Sequence, residues 1–180
     1  MANNYEQSTV NPTLPKLLFT ELELLTLVAL GMQHEPSNDD HLYFYSEDPS
    51  WGNDIEVKQT MLNDKSNFVV KQYLDYIEAN NKSHNPGGTL TFDFNIEDIN
   101  DDCNCSECEL TIETIFQSIL EKKTCEETEI VIMGAFTCDK LRMDEFGGFV
   151  TRITKDAIQH NSTYQMLTEM RDQIKVVTHV

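Results

Sequence analysis

Apolar residues recur along this chain in two rhythms, one of three to four positions and one of two. Between Thr20 and Gly31, Leu22, Leu25 and Ala29 mark one face of a helix. Thr20 and Glu23 have the spacing of a capping box, and Gly31 suits the position just past the helix end. From Ser66, a suitable cap, to Asn80 the rhythm returns in Val70, Tyr73, Leu74 and Ile77. A third helix is predicted from Glu109 to Lys122, with Ile112, Ile115, Phe116 and Ile119 on its inner face. Fainter signals predict a helix over Asp54 to Leu62, one opened by Thr154 or Lys155, and one capped by Ser162-Thr163 and running through Met170.

The two-residue rhythm marks strands. Leu42-Tyr43-Phe44-Tyr45 is one, ended by Ser46-Glu47-Asp48-Pro49. Leu90, Phe92, Phe94 and Ile96 alternate with Thr91, Asp93 and Asn95 after the turn Asn85-Pro86-Gly87-Gly88, which predicts a strand buried on one face. Ile130-Val131-Ile132-Met133 reads as a central strand. Gly147-Gly148 reads as a turn leading into a strand over Phe149 to Ile153, and Lys175-Val176-Val177-Thr178 as a final edge strand. Residues 1–15, polar and carrying Pro12 and Pro15, are expected to form a loose arm, with residues 16–180 as a single domain. Both element types occur without regular βαβ alternation. The expected fold is therefore α+β, a small antiparallel or mixed sheet with several helices packed mainly on one face.

Composition sharpens this. A chain of 180 residues with 39% hydrophobic and 9% aromatic residues can bury a core. Its net charge of −18 is repelled by nucleic acid and anionic lipid, and attracted to basic surfaces. The charge is partitioned. Residues 1–92 carry 13 acids and 5 bases, residues 93–129 carry 12 acids against only Lys122 and Lys123, and residues 130–180 carry 6 of each. Charge serving solubility alone needs no such partition, so an acidic patch is expected in 93–129. Its candidate partner-binding residues are Asp98, Asp101, Asp102, Glu107, Glu109, Glu113, Glu126 and Glu127. Glu109 and Glu113, one helical turn apart, share a face.

The same segment holds Cys103-Asn104-Cys105-Ser106-Glu107-Cys108. Closely spaced cysteines can supply two or three ligands of a tetrahedral zinc site, and Cys125 is a candidate to close it. Cys138, His41, His84, His160 and His179 are alternatives. The neighbouring Asp101, Asp102 and Glu107 attract a cation but raise thiol pKa values, so reduced thiols in an exposed loop are the competing reading. A calcium loop from Asp93 fails because its sixth and twelfth positions are Asp98 and Asn104.

Catalytic motifs are missing: no G-x-S-x-G, phosphate-binding loop, dinucleotide fingerprint or H-E-x-x-H occurs. Cys138, after the apolar Ile130–Met133 run, is the best candidate nucleophile, against the simpler reading of a small residue packed beside the sheet. The N-terminus lacks a basic, then apolar, leader, and the apolar stretch Leu22–Leu30 is too short to span a bilayer, so a cytoplasmic location is expected.

The stretch Thr137-Cys138-Asp139-Lys140-Leu141-Arg142-Met143-Asp144-Glu145-Phe146-Gly147-Gly148 follows the central strand. It resembles a Thr-Cys-x-Lys-x-Arg-x-x-Glu-Phe-Gly-Gly pattern in uncharacterised proteins of phages and plasmids, a resemblance that supplies no activity or catalytic residue. Size and acidity also resemble those of anti-CRISPR and anti-restriction proteins. These resemblances imply an acidic inhibitor that engages a basic nucleic-acid-binding surface of a defence complex by mimicry or subunit displacement. The alternative is a zinc-stapled adaptor or assembly subunit unrelated to defence.

Overall fold

The structure, a computed structural model, describes residues 4–47, 55–79, 89–92, 110–138 and 146–177. In chain order its elements are β1 (Asn4–Asn11), β2 (Leu14–Pro15), a 3-10 turn, α1 (Glu21–Ala29), β3 (Gln33–Pro36) and β4 (His41–Ser46). Then come β5 (Ile55–Lys58), a second 3-10 turn (Gln59–Leu62), α2 (Phe68–Ala79), β6 (Thr89–Phe92) and α3 (Ile112–Glu121). The chain continues through β7 (Glu129–Cys138), β8 (Gly147–Thr154) and β9 (Ile158–Ser162) to α4 (Thr163–Val177).

Seven of the described strands form one antiparallel sheet ordered β3-β4-β1-β7-β8-β9, with β2 beside β4 on the edge that β1 also uses. β5 and β6 form a separate antiparallel pair. The fold is α+β.

Alternation decides which face of the sheet is covered. Val10, Leu42, Phe44, Ile130, Ile132 and Ile153 point to one side and are buried. Against them pack α1 through Leu22 and Leu27, α2 through Val69, Val70, Tyr73 and Ile77, and α3 through Ile115, Phe116, Ile119 and Leu120. Phe44 meets Phe19 at 5.0 Å and Phe116 at 5.3 Å between ring centroids. Burying each such large side chain contributes about 1.5–3 kcal/mol. The capping box of α1 forms as its spacing predicts, and Gly31 takes φ 90° past the helix end, a conformation that costs glycine little. Leu25 is 37% exposed, because the inward face of α1 passes through Leu22, Glu23, Thr26 and Leu27 instead.

Several expectations are corrected. Residues 4–11 are no loose arm: β1 lies between β4 and β7 and pairs with β7 over its whole length. Backbone hydrogen bonds do not depend on side-chain polarity, so a strand with few apolar residues can be central once both neighbours supply partners. Residues 55–62 form β5 and a 3-10 turn. After Thr154 a tight turn leads into β9, and residues 175–177 end α4. Cooperative extension of that helix overrides the strand preference of Val176-Val177.

Gly147-Gly148 is also no turn. Both glycines lie inside β8, opposite Phe136 and Ala135 of β7. A Cβ on Gly147 would overlap the Phe136 ring, and one on Gly134 would overlap the Phe149 ring. Two cross-strand pairs thus place an aromatic ring over a glycine in opposite senses, Gly134 with Phe149 and Phe136 with Gly147. The pattern reflects space for rings rather than positive φ.

Candidate functional site

The helices leave the second face of the sheet open among the described residues. Along β1, β7 and β8 the outward positions Gln7, Thr9, Met133, Ala135, Val150 and Arg152 are all exposed. Thr9 of β1 pairs with Tyr45 of β4 on one side and with Met133 of β7 on the other, and Met133 pairs with Val150. The row therefore runs continuously across four strands. Met133 and Val150 keep 46% and 41% of their surface, so the row is partly apolar.

At the β3 edge this face becomes aromatic and acidic. In β4, Leu42 and Phe44 turn inward, and strand alternation sends Tyr43 and Tyr45 outward together. Their rings stack at 5.6 Å with planes 18° apart. Glu35 of β3 stands directly across from Tyr43, and its Oε1 accepts a hydrogen bond of 3.0 Å from the Tyr45 hydroxyl. That bond, with burial and the fields of Glu35 and Glu47, raises the Tyr45 phenol above its ordinary pKa.

A groove of about 360 Å³ opens here between β1, β3 and β4, lined by Gln7, Thr9, Glu35, Tyr43, Tyr45 and Glu47. Ser8 and Ser46 border it from the inward-facing positions of β1 and β4. Ser46 is 8% exposed, and its Oγ has no hydrogen-bond partner among the described residues. Among the described residues no basic side chain lines the groove. The arrangement suits a cation with hydrogen-bond donors: two carboxylates supply charge and stacked phenols supply π faces.

Of the eight acids expected to meet a partner, Asp98, Asp101, Asp102, Glu107 and Glu109 lie outside the described residues. Glu113 sits in the first turn of α3, where a carboxylate complements the helix dipole. Glu126 and Glu127 lie beyond the other end of that helix, which is about 15 Å long. Glu126 is exposed and Glu127 half-buried. The described three thus divide between the two ends of α3.

Lys122, one of two bases in the acidic segment, is drawn inward. Its Nζ donates to both carboxylate oxygens of Glu23, at 2.8 and 2.9 Å, and to the carbonyl of Leu18 at 2.5 Å. Glu23 is 0% exposed and also accepts from Asn67 Nδ2 at 2.9 Å and from the Thr20 backbone N–H at 2.7 Å. This ion pair ties together the starts of α1 and α2 and the end of α3, and leaves Lys123 as the exposed cation of residues 93–129. Beside it Thr26 Oγ1 and the Tyr73 hydroxyl are 3.0 Å apart, and burial pushes the Tyr73 phenol far above its usual range.

Cys103, Cys105 and Cys108 lie outside the described residues. Cys125 is a free thiol, 8% exposed, within the apolar core cluster. Among the described residues no group of three His, Cys, Asp or Glu side chains is placed to hold a metal ion. Cys138 ends β7 opposite Asn4. His160, exposed on the edge strand β9, lies 2.9 Å from Thr151 Oγ1 and stacks on Phe149 at 5.7 Å.

The groove residues Glu35, Tyr43, Tyr45 and Glu47 were not among the predicted site residues. Their signal was present in the alternation of Leu42 and Phe44 with Tyr43 and Tyr45, but that pattern names no partner strand. Among the described residues no helix is long and apolar enough to cross a membrane. Comparison with protein-family models, with curated proteins and with solved structures finds no match.

Proposed function

We propose that this chain is an acidic protein-binding inhibitor that acts in the cytoplasm on a bacterial defence nucleoprotein of the CRISPR or restriction kind. It engages the basic surface that otherwise holds DNA or RNA, by blocking that surface or by displacing a subunit. The observation that carries this reading is the charge partition: 12 acids against two bases in residues 93–129, beside a neutral C-terminal segment. Two features of the fold support it. Lys122 is engaged with the buried Glu23, so it offers little charge to a partner. The open sheet face adds Glu35 and Glu47, for which no ion pair is found among the described residues. Such a surface steers a basic partner at long range and fixes its register on contact.

The test is a pull-down with the tagged chain from a bacterial lysate containing CRISPR and restriction complexes, eluted with a salt gradient and read by mass spectrometry. A basic nucleic-acid-binding protein, released by salt and competed by DNA or RNA, is expected. Reversing Asp101, Asp102, Glu109 and Glu113 to lysine should lose it while the fold persists. A partner indifferent to salt and to the reversal refutes the reading.

The cysteine run Cys103, Cys105 and Cys108 favours a second reading, a zinc-stapled adaptor in a larger assembly. About one equivalent of zinc in protein purified without chelator, lost on replacing Cys103 and Cys105 with serine, would support it.

A further inference from the structure

We propose that the β9 edge of the sheet is where a second copy of this chain pairs, antiparallel and about a two-fold axis, with α4 flanking the joint. This does not depend on what the acidic segment binds. β9 ends the sheet order, and no strand among the described residues lies on its outer side. Ile158, Gln159 and His160 are exposed. The Thr154 N–H donates to the Ala157 carbonyl at 2.9 Å, which sets the alternation of the β8–β9 ladder. Counting on from that pair, Arg152 bonds with Gln159 and Val150 with Asn161, so Ile158 and His160 direct their N–H and C=O groups outward. Ser162 is engaged in capping α4: its N–H donates to Gln165 Oε1 at 2.9 Å, and its Oγ accepts from the Gln165 N–H at 3.3 Å.

The two edges of the sheet differ. β3 carries Glu35 and Pro36, and β2 ends in Pro15, residues that block an edge. β9, Ile158-Gln159-His160-Asn161-Ser162, has no acid, no lysine or arginine and no proline. An exposed edge without such a block is a template for another strand. Charge selects which strand. Two copies of a chain at −18 repel each other, and that repulsion is least at residues 130–180, with 6 acids and 6 bases. A basic partner is drawn instead to the acidic surface. Arg152, beside the edge, is already held by Glu129 at 2.6 Å and Gln159 at 3.2 Å. Apolar surface is unclaimed here too. Of the ten large hydrophobic side chains exposed among the described residues, eight lie in residues 133–170, including Ile158 and, on α4, Tyr164, Met166, Leu167 and Met170. α4 follows β9 directly and is tied to β8 by a 3.3 Å hydrogen bond from the Gly148 N–H to Thr163 Oγ1. Antiparallel pairing is self-complementary: Ile158 of each copy bonds to His160 of the other, forming about four backbone hydrogen bonds, and each α4 begins beside the other copy's Ile158.

The experiment is sedimentation equilibrium of the full chain under reducing conditions, from low micromolar to about 500 µM, at low and high salt. The mass should rise with concentration from 20.7 kDa toward twice that. Salt should strengthen the dimer, because it screens repulsion between the acidic bodies, the reverse of an ion-paired complex. Ile158→Lys makes the chain less negative and on charge alone would favour association, yet it should weaken the dimer about tenfold by placing a charge on the edge. Leu167→Lys should weaken it about threefold or more. Unchanged circular dichroism shows that both variants fold. In amide exchange followed by NMR, Ile158 and His160 should slow as concentration rises, whereas Gln159, already bonded to β8, should not. A chain monomeric throughout, a dimer unaffected by Ile158→Lys or dissolved by salt, or new protection on β3 instead would each overturn the proposal. So would a protein whose capture in the pull-down is lost with Ile158→Lys while the chain alone stays monomeric, since the edge then seats that protein.

Discussion

Replacing Lys122 with methionine removes the cation from a carboxylate that has no contact with water. Glu23 is 0% exposed, and Lys122 holds both its oxygens at 2.8 and 2.9 Å while its own side chain is 27% exposed. Methionine preserves much of the apolar stem and takes away only the charge and its donors. Deleting one partner of a buried ion pair costs about 3–5 kcal/mol, because the other charge stays buried without compensation. The partial exposure of Lys122 lets water approach the vacated position, so we expect the lower end, about 3 kcal/mol. With a urea dependence of about 2 kcal/mol per molar, the unfolding midpoint should fall by about 1.5 M. The assay is equilibrium urea unfolding followed by circular dichroism, with Lys123→Met as control. Lys123 is exposed and should stay within about 0.5 kcal/mol of wild type. Adding Glu23→Gln to Lys122→Met should recover about 1–2 kcal/mol, since an amide leaves no unpaired charge and its one oxygen can still accept from Thr20. A midpoint shift below about 0.3 M for Lys122→Met, or no recovery in the double variant, would refute the claim that this pair fastens the three helices.

Three further outcomes are expected. Gly134→Ala should destabilise the protein by about 1–3 kcal/mol, since its Cβ must displace the Phe149 ring, and Phe149→Leu in the same chain should return part of that loss; thermal unfolding checks both. His34 has its pKa lowered by burial first and by Lys16 second, so between that value and the ordinary 6.5 the unfolded chain binds more protons than the folded one. Its contribution is therefore complete above pH 6.5 and is lost as pH falls through the folded value; His34→Gln should flatten that part of a stability profile from pH 5 to 8. Alkaline difference spectroscopy should find Tyr45 titrating above the usual pH 10, and Glu35→Gln should bring it back down by removing the charge and the carboxylate acceptor.

Legibility in the sequence depended on whether a signal was local. The capping box at Thr20 and Glu23 and the inner face of α3 were legible, as was the strand over Leu42–Tyr45, because each depends on residues close in sequence. Of the acidic site, the sequence located the charge but not its arrangement; Glu113 stands at one end of α3, and Glu126 and Glu127 beyond the other. The groove residues were legible only as an alternating strand, since Glu35 and Tyr45 meet across a hairpin and Gln7 and Thr9 arrive from a segment that reads as a polar arm.

Period, caps and composition by themselves determined that this chain is α+β, that its helices carry a single apolar face, and that its surface is strongly negative. Tertiary structure alone decided that residues 4–11 are a central strand, that Gly147 makes room for the Phe136 ring, and that Glu23 is bonded to Lys122 as well as capping α1. The reason is physical: side-chain periodicity and capping are short-range, whereas backbone pairing, ring clearance and charge burial depend on which distant segment lies alongside.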